Sequence, residues 1–507
     1  MDIAQLFRDV AEKMPQKPFL IFRDQPISYS EGVKMVNKLA NALNKMGVKK
    51  GEKVAVYLPN SPQYVFSYLA VFSLGAACVP LDVRLTDEEL IGVLNHSEAS
   101  VFITKALEKN SFAELMKKVS RLKHIIKCFS DEEDGFASFN KIMQQQPDKQ
   151  IEINIDEGSL AILYYTSGTT GNPKAVMSNY RSLDNAAQTI RYIGLNEENT
   201  GDVSICALPL SHLGGFVYIQ FGLDMKMSIV LMERFIPLEF LRQIERHKVT
   251  WFHLVPPMFI ALLQLKEFEK YDFTSLKGVD LFGAPSHPDL MKRFGKYCPN
   301  AILWHGWGMT ETAAPNTVTG PENIASIGKN PPWFEMKIFD NDDKEVPVGE
   351  IGEIVCRGWP VMMGYYKEPE MTAEIMRNGW LHTGDLGCVD KDGYFYIKGR
   401  KKDMIIVGGL NVYSPELEHV ISEHPQVAEV AVIGVADKLR GEAVKAVIVL
   451  KEGQKISGKD IKAFCRERLV HFKVPQIVEF RDSLPKTRSG KIAKEALKQD
   501  SLVKDSA

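Results

Sequence analysis

The first part of the chain alternates between short apolar runs and amphipathic segments with helical spacing. From Ile27 onward a serine, apolar residues at helical intervals and a closing glycine predict a helix, and residues 53–58 follow as a strand. Similar apolar runs at 77–81, 101–104 and 124–128 separate the next helical stretches. This alternation predicts an α/β fold in which helices cover parallel sheets.

The pattern changes in the last third of the chain. Residues 329–398 contain short β-rich runs separated by turns such as Lys391-Asp392-Gly393, which predict a small β-barrel-like subdomain. A basic segment at 400–403 follows, and strand and helix signals then alternate to the last residues. We therefore predict a large N-terminal domain, residues 1–400, with two helix-covered sheets and the β-rich subdomain, and a small mobile α+β C-terminal domain, residues 401–507.

A loop rich in glycine and threonine, TSGTTGNPK, occupies residues 166–174 after an apolar run. Its glycines let the backbone approach an anion, and its hydroxyls and lysine suit phosphate oxygens. It is not a Walker loop, because that pattern places the lysine directly after the second glycine. We predict a phosphate-binding loop ahead of a helix-like segment, although a polar surface loop has a similar composition. The candidate ligands are Thr166, Ser167, Gly168, Thr169, Thr170, Gly171 and Lys174.

Composition excludes several classes of partner. The 62 basic residues balance 64 acidic ones, a net charge of −2, so nothing favours nucleic acid or an anionic membrane surface. The seven cysteines form no C-x-x-C pair, which indicates reduced thiols in a cytoplasmic protein. The N-terminal segment has helical spacing rather than a signal peptide, and residues 65–81 are interpreted as a buried helix and strand, not as an integral membrane segment. A monomer and a homodimer both stay open.

Six further motifs follow the loop in order. They are LPLSHLGG (208–215), FGAP (282–285), HGWGMTET (305–312), GWLHTGDLG (379–387), GRKKDMIIVGGLNVYSPELE (399–418) and PKTRSGKI (485–492). With these motifs nearly the whole chain resembles the adenylate-forming superfamily of acyl-CoA synthetases, firefly luciferases and peptide-synthetase adenylation domains. It is most similar to the acyl-CoA synthetases, which include fatty-acid–CoA ligases. One departure is Ala175, where the family usually has glycine.

The resemblance implies catalysis by positioning and charge neutralisation. A carboxylate is already ionised at neutral pH, so it can attack ATP without a general base. The resemblance implies that Thr310 contacts the α-phosphate, that Glu311 helps to bind Mg²⁺ and that Lys491 is a mobile lysine that acts during adenylation. One carboxylate beside a phosphate loop is adequate for Mg²⁺. Taken alone, these residues would be a polar turn and one lysine of a solvated tail.

The resemblance also assigns the adenosine contacts. It places adenine against Trp307, where the family usually has tyrosine, and beside the turn Gly283-Ala284-Pro285, with Gly308 and Met309 nearby. Asp385 would accept hydrogen bonds from the ribose hydroxyls, and Arg400 would be a second ribose contact. Without the family, a tryptophan in such a turn would be interpreted as core packing.

For thioester formation the resemblance implies a domain rotation. Lys402 occupies the hinge position, and rotation there would replace Lys491 with a face carrying Gly408 and Gly409, past which the arm of coenzyme A could enter.

The acyl site is expected at His212 and Gly306, although a core histidine is a serious alternative. Residues 208–216 contain no acid, which argues against an amino acid substrate and for an uncharged acyl or aryl chain. A possible apolar wall, equally compatible with ordinary core, consists of Trp251, Phe252, Phe282 and Trp304.

The expected protein is an ATP- and Mg²⁺-dependent acid–CoA ligase that acts on a fatty or other apolar carboxylic acid through an acyl-adenylate. Three alternatives stay open: an enzyme that loads a separate carrier protein, an aryl-acid–CoA ligase, and an inactive nucleotide-binding homologue.

Overall fold

The computed structural model describes residues 2–105, 111–130, 135–166, 174–193, 201–283, 288–437, 439–487 and 491–505. The helices in these ranges are α1 (Ile3–Lys13), α2 (Tyr29–Lys45), α3 (Pro62–Phe72), α4 (Asp87–Ser97), α5 (Ser111–Lys118), α6 (Phe139–Gln145), α7 (Asn185–Tyr192), α8 (Leu213–Asp224), α9 (Pro237–His247), α10 (Pro256–Leu263), α11 (Pro288–Gly295), α12 (Pro369–Ile375), α13 (Ser414–Ser422), α14 (Gly458–Arg466) and α15 (Lys494–Asp505).

The strands of the first two sheets are β1 (Pro18–Phe22), β2 (Gln25–Ser28), β3 (Lys53–Tyr57), β4 (Ala77–Pro80), β5 (Val101–Lys105), β6 (His124–Cys128), β7 (Ala137–Ser138), β8 (Leu160–Thr166), β9 (Lys174–Asn179), β10 (Val203–Cys206), β11 (Ser228–Leu231), β12 (Trp251–Leu254), β13 (Gly278–Leu281), β14 (Ile302–Trp307) and β15 (Thr317–Thr319). The remaining strands are β16 (Phe334–Phe339), β17 (Gly352–Gly358), β18 (Met376–Arg377), β19 (Trp380–Val389), β20 (Phe395–Arg400), β21 (Met404–Val407), β22 (Leu410–Tyr413), β23 (Val427–Asp437), β24 (Gly441–Leu450) and β25 (Ile477–Phe480).

Two largely parallel sheets form the first part of the chain. One has seven strands in the order β7-β6-β5-β3-β4-β8-β9, and the other has eight in the order β15-β14-β13-β12-β10-β11-β1-β2. The largest hydrophobic cluster contains side chains of both sheets together with α1, α2, α3 and α8, and separate clusters cover their outer faces. The result is alternating helix and sheet layers, as the α/β prediction required.

The inner helices show why the sequence folds this way. Helix α2 is capped by Ser28, whose side chain accepts from the Glu31 N–H while the Glu31 carboxylate accepts from the Ser28 N–H, so both groups of the capping box are satisfied. Helix α3 is apolar all round, and ten of its 11 residues are buried. A helix of that kind has to lie in the core, which confirms the interpretation of residues 65–81 as a buried helix and strand.

The last third of the chain forms two smaller sheets. Strands β16–β20 make a five-stranded antiparallel sheet, and β21–β25 make a second five-stranded sheet packed against α13, α14 and α15. The predicted fold class is confirmed.

One local prediction was wrong. The segment after the phosphate loop is not a helix: β9 pairs antiparallel with β8, with Lys174 opposite Thr166. Ala175, Val176 and Ser178 are the buried residues of β9, a pattern without strict alternation, so the pairing with β8 decides that this segment is a strand.

Two expectations from composition can be compared with the structure. The seven cysteines are free thiols, and six of them are buried. None of the helices in the described ranges is both long and apolar enough to cross a membrane.

Candidate active site

The carboxylate of Asp385 is held from two sides. On β19, Asp385 lies opposite Arg400 of β20, and Arg400 Nε donates to its Oδ1 over 2.8 Å. Trp307, at the end of β14, donates its indole Nε1–H to Oδ2 over 2.9 Å. Trp307 and Asp385 are 5% and 6% exposed, so water screens this hydrogen bond little. The structure therefore brings together three residues assigned to adenosine, and their contacts with ribose and adenine stay predictions.

Glu311 is oriented by a tyrosine. Tyr365 donates its hydroxyl to Glu311 Oε1 over 3.0 Å, and Lys174 Nζ lies 5.2 Å from the centre of the same ring. The other carboxylate oxygen of Glu311 is the hard ligand that Mg²⁺ prefers, so these residues fit a magnesium ion shared with phosphate oxygens. Sequence reasoning missed Tyr365, because its segment reaches the site through backbone pairing with β9, which includes the bridge between Tyr365 and Val176.

Lys491 reaches the same cleft from the C-terminal part of the chain. Desolvation lowers the pKa of Lys491 and the positive charge of Arg400 lowers it further, while the carboxylates of Asp385 and Glu311 oppose the change. The residue is exposed to solvent, so its desolvation is incomplete. The structure thus places the predicted mobile lysine among the charges of the predicted ATP site.

Glu353, on β17, supports the strand that carries Asp385. Its carboxylate accepts from the Gly384 N–H over 3.0 Å and lies 3.3 Å from His382 Nδ1 and 3.2 Å from Lys401 Nζ. Burial opposes ionisation, but these donors hold the pKa of Glu353 below its usual value. Sequence reasoning missed this residue too, because its partners lie 29 to 48 positions away.

The predicted hinge and coenzyme A residues lie at the start of the C-terminal sheet. Lys402 is in the 3-10 turn Lys401–Asp403 directly after β20, and its carbonyl accepts from Lys498 Nζ over 3.1 Å. Gly408 and Gly409 form the exposed turn between β21 and β22, with φ values of 58° and 84°. Positive φ at both central positions is the geometry of a tight hairpin turn that glycine permits.

The phosphate-loop residues are described only at its two ends. Thr166 and Lys174 pair across β8 and β9. Five further candidates of this loop and two of the adenine turn lie outside the described residues: Ser167, Gly168, Thr169, Thr170, Gly171, Ala284 and Pro285.

Four other candidates follow β13 and β14. Gly283 is the second residue after β13. Thr310 is in the 3-10 turn Thr310–Thr312, which the hydrogen bond from Met309 N to Thr312 Oγ1 closes over 3.1 Å. Gly308 lies so close to the following loop that a Cβ would be 2.4 Å from Ala314 Cβ.

His212 is the residue before helix α8, and an acid does reach it. Its Nε2 lies 3.4 Å from Asp82 Oδ2, although Asp82 comes from the loop after β4. Burial opposes ionisation of Asp82, but hydrogen bonds from Arg84 and His212 hold the pKa of Asp82 well below its usual range. Residues 208–216 contain no acid themselves, but the fold brings Asp82 from another part of the chain to His212.

The predicted acyl wall is divided between two faces of one sheet. Trp251 packs against Phe221 of α8, whereas Phe252 belongs to the cluster under α9, α10 and α11. Successive strand residues point to opposite faces, so Phe252 is ordinary core, the alternative that the sequence had left open. At Gly306 a Cβ would lie 2.2 Å from the Thr317 carbonyl oxygen and 2.5 Å from the Phe282 ring, which leaves room for glycine alone.

Comparison with known families agrees with this geometry. The family model described as AMP-binding enzyme matches residues 7–366. The chain belongs to the AMP-binding enzyme family. The model of the AMP-binding enzyme C-terminal domain matches residues 416–491. The resemblance drawn from the sequence motifs is confirmed.

Relatives of this AMP-binding enzyme carry names of CoA ligases. The long-chain-fatty-acid–CoA ligase of Bacillus subtilis is 34% identical over 98% of this chain and 94% of the relative. A crotonobetaine/carnitine–CoA ligase of Salmonella paratyphi A is 32% identical over 98% of this chain and 99% of the relative. Among solved structures, an anthranilate CoA ligase in complex with anthranoyl-AMP superposes with a TM-score of 0.92 at 28% identity, over 100% of this chain and 98% of the other.

Proposed function

We propose that this AMP-binding enzyme is an ATP- and Mg²⁺-dependent acid–CoA ligase that forms an acyl-adenylate with release of pyrophosphate and then an acyl-CoA. The observation that carries the proposal is the ion pair between Arg400 and Asp385, together with the influence of Arg400, Asp385 and Glu311 on the pKa of Lys491. A cation from the C-terminal part and acids from the N-terminal part are the groups that adenylate formation needs.

Each residue has a task in this chemistry. Asp385, fixed by Trp307 and Arg400, orients the ribose and so the α-phosphate. Glu311, fixed by Tyr365, would hold Mg²⁺, which neutralises phosphate charge when it is bound. Lys491 offers positive charge where the carboxylate attacks the α-phosphate, and fixed charge at that point is the largest contribution that a protein makes to such a transfer.

The relatives support coenzyme A as the acceptor, since their names are those of CoA ligases. They do not select the acid, because they are named for long-chain fatty acids, for crotonobetaine or carnitine, and for anthranilate. The sequence favoured a fatty or other apolar acid. The choice among fatty, ammonium-bearing and aromatic acids depends on the residues that line the acyl pocket.

The function is tested by pyrophosphate release from ATP with a panel of carboxylic acids, with and without coenzyme A. We expect acid-dependent release and an acyl-CoA product. If pyrophosphate is released but the acyl group is transferred only to a carrier protein, the adenylation step of the proposal stands and coenzyme A is not the acceptor. A folded protein that binds ATP and releases no pyrophosphate with any acid would exclude the proposed enzyme in favour of an inactive homologue.

Replacing Lys402 by proline is expected to separate the two half-reactions. Proline fixes φ near −65°, which suits the 3-10 turn around Lys402 but not a large rotation there. Adenylate formation should survive, while thioester formation from supplied acyl-adenylate and coenzyme A should slow by at least about tenfold, a barrier increase of roughly 1.4 kcal/mol. The two rates are measured separately in rapid-quench experiments.

The matched control for the hinge is Lys402→Ala, which removes the same side chain but leaves the backbone free to rotate. We expect both half-reactions of this variant near the wild-type rates. Unchanged thioester formation in a stable Lys402→Pro protein would place the hinge elsewhere.

A further inference from the structure

A row of three side chains lies on neighbouring parallel strands beneath helix α8. His253 of β12 pairs in register with Asp280 of β13, and Asp280 pairs with Trp304 of β14. Residues paired in this way point to the same face of a sheet. Tyr218 of α8 covers this face, with its ring 6.1 Å from the His253 ring. The neighbouring residues Val279 and Leu281 pack on the opposite face.

The polar groups of this row have no partners among the described residues. Asp280 has neither a hydrogen bond nor an ion pair there, and the only influence on its pKa is burial, which raises it to about 8. Tyr218 is 3% exposed, yet its hydroxyl has no partner, and neither has the indole N–H of Trp304. Folded proteins rarely leave such groups unpaired, so this concentration at one place indicates a site for a ligand.

Aromatic rings enclose the row along the strands. On one side the Trp251 ring lies over Gly278, where a Cβ would be 1.8 Å from it, and the Trp251 Nε1–H is fixed by Asp202 over 3.2 Å. On the other side Phe282 stacks on His253 with centroids 5.1 Å apart. These contacts bound a slot whose centre is polar and whose two ends are aromatic.

The slot is open rather than filled. His253, Asp280, Phe282 and Trp304 keep part of their accessible surface, although they lie between a sheet and a covering helix. Burial also lowers the pKa of His253 to about 3, so at neutral pH the histidine carries no charge that could pair with Asp280.

The slot is continuous with the candidate active site. Strand β14 carries Trp304 in the polar row and, two residues later, Gly306. At about 3.3 Å per residue the polar row lies roughly 7 Å from Gly306 along the strand. The next residue, Trp307, donates to Asp385 in the predicted ribose site. The Phe282 ring lies against Gly306, so a short carbon chain that passes this ring would connect a carboxyl group beside Gly306 with a polar group beside Asp280.

We propose that this slot accepts a short carboxylic acid whose acyl part carries an ammonium group, with the Asp280 carboxylate as its counter-ion. The proposal rests on the acid–CoA ligase function above and names its substrate class. A largely buried carboxyl group ionises more readily beside a cationic partner, and the faces of Tyr218, Phe282 and Trp304 are the aromatic surfaces that attract ammonium groups. The Tyr218 hydroxyl and the Trp304 indole N–H, which have no other partner in the described part of the chain, are suitable donors to the ionised carboxylate of Asp280. The sequence analysis predicted an uncharged acyl chain instead, because it considered only residues 208–216, which contain no acid, and not the strand that carries Asp280.

The test compares acids that differ only at the far end of the chain. Pyrophosphate release is measured with ATP and coenzyme A for 5-aminopentanoate, 5-hydroxypentanoate and hexanoate, and for 4-(trimethylammonio)butyrate against its uncharged counterpart 5,5-dimethylhexanoate. We expect kcat/KM to be at least about tenfold higher for an ammonium acid than for its matched neutral acids. A preference for hexanoate, dimethylhexanoate or the hydroxy acid would overturn the proposal while leaving the ligase function intact. No release with any acid would instead count against the ligase function.

The variants Asp280→Leu and Asp280→Asn test the residue itself. Both should lower kcat/KM for the preferred ammonium acid by at least about tenfold, and the leucine should raise it for hexanoate. The control is Ser204→Ala, which removes another unpartnered hydroxyl from the same sheet without removing an acid; its acid preference should be that of the wild type. Thermal unfolding reports on folding, and removal of an unpaired buried acid should not lower the melting temperature. An unchanged acid preference in both folded Asp280 variants would exclude Asp280 as the counter-ion.

Discussion

Replacing Lys491 by alanine is expected to slow adenylate formation by about 10²–10³-fold, the usual cost of removing one fixed charge or donor from a developing anion. The ammonium lies within the field of Glu311, Asp385 and Arg400, where ATP and the acid are proposed to react. Thioester formation from supplied acyl-adenylate should change little, because that step needs no positive charge from this lysine. Single-turnover measurements of each half-reaction give the two rates.

Two observations would separate a catalytic role of Lys491 from a structural one. Lys486, five residues earlier, pairs with Glu429 at the surface, and Lys486→Ala should leave both half-reactions unchanged. Because the pKa of Lys491 is lowered, the wild-type adenylation rate should fall as the pH rises, with a midpoint below the usual lysine pKa of about 10.4. Equal losses in both half-reactions of Lys491→Ala would contradict the assigned role.

Replacing Asp385 by alanine is expected to weaken ATP binding by about 1.5–3 kcal/mol, the value of hydrogen bonds to a charged group. That is roughly 10- to 150-fold in affinity. The carboxylate is nearly buried and already held by Arg400 and Trp307, so it is fixed in place before the nucleotide arrives. Calorimetric titration with ATP and with its 2′-deoxy and 3′-deoxy analogues measures the effect. The wild type should discriminate against the deoxy analogues, and the variant should not.

The graded control for this prediction is Trp307→Phe, which keeps an aromatic ring but removes the donor to Asp385. Trp307 supports the carboxylate but does not contact the ribose itself, so ATP affinity should fall less than in Asp385→Ala, by roughly two- to tenfold. Retained discrimination against deoxy analogues in a folded Asp385→Ala protein would move the ribose contact to another residue.

The local signals in this sequence predicted local structure well. The Ser28–Glu31 capping box marks the start of α2, and the apolar run at 124–128 is strand β6 with the same limits. The segment after the phosphate loop was the exception. Its strand β9 depends on pairing with β8, and pairing partners do not appear in the periodicity of a short segment.

Residues that act through distant partners could not be predicted. Tyr365 orients Glu311 from 54 positions away, and Glu353 supports the Asp385 strand from the neighbouring strand β17, 31 positions before Gly384. Asp280 did leave a signal, a single acid in the apolar strand GVDL. The sequence did not say whether that acid would face a core, solvent or a pocket, because this depends on which strands lie beside it.

The sequence by itself determined the family, the α/β fold class and most of the residues proposed for ATP, because glycine loops, caps and motif residues are encoded within short stretches. Only the tertiary structure decided which of these residues meet. It brought Lys491 from the C-terminal part to Glu311 and Asp385, and it divided Trp251 and Phe252 between opposite faces of one sheet. It also aligned His253, Asp280 and Trp304 from three strands in one row. The physical reason is that the register and packing of sheets join residues far apart in the chain, and burial there sets which charges lack partners.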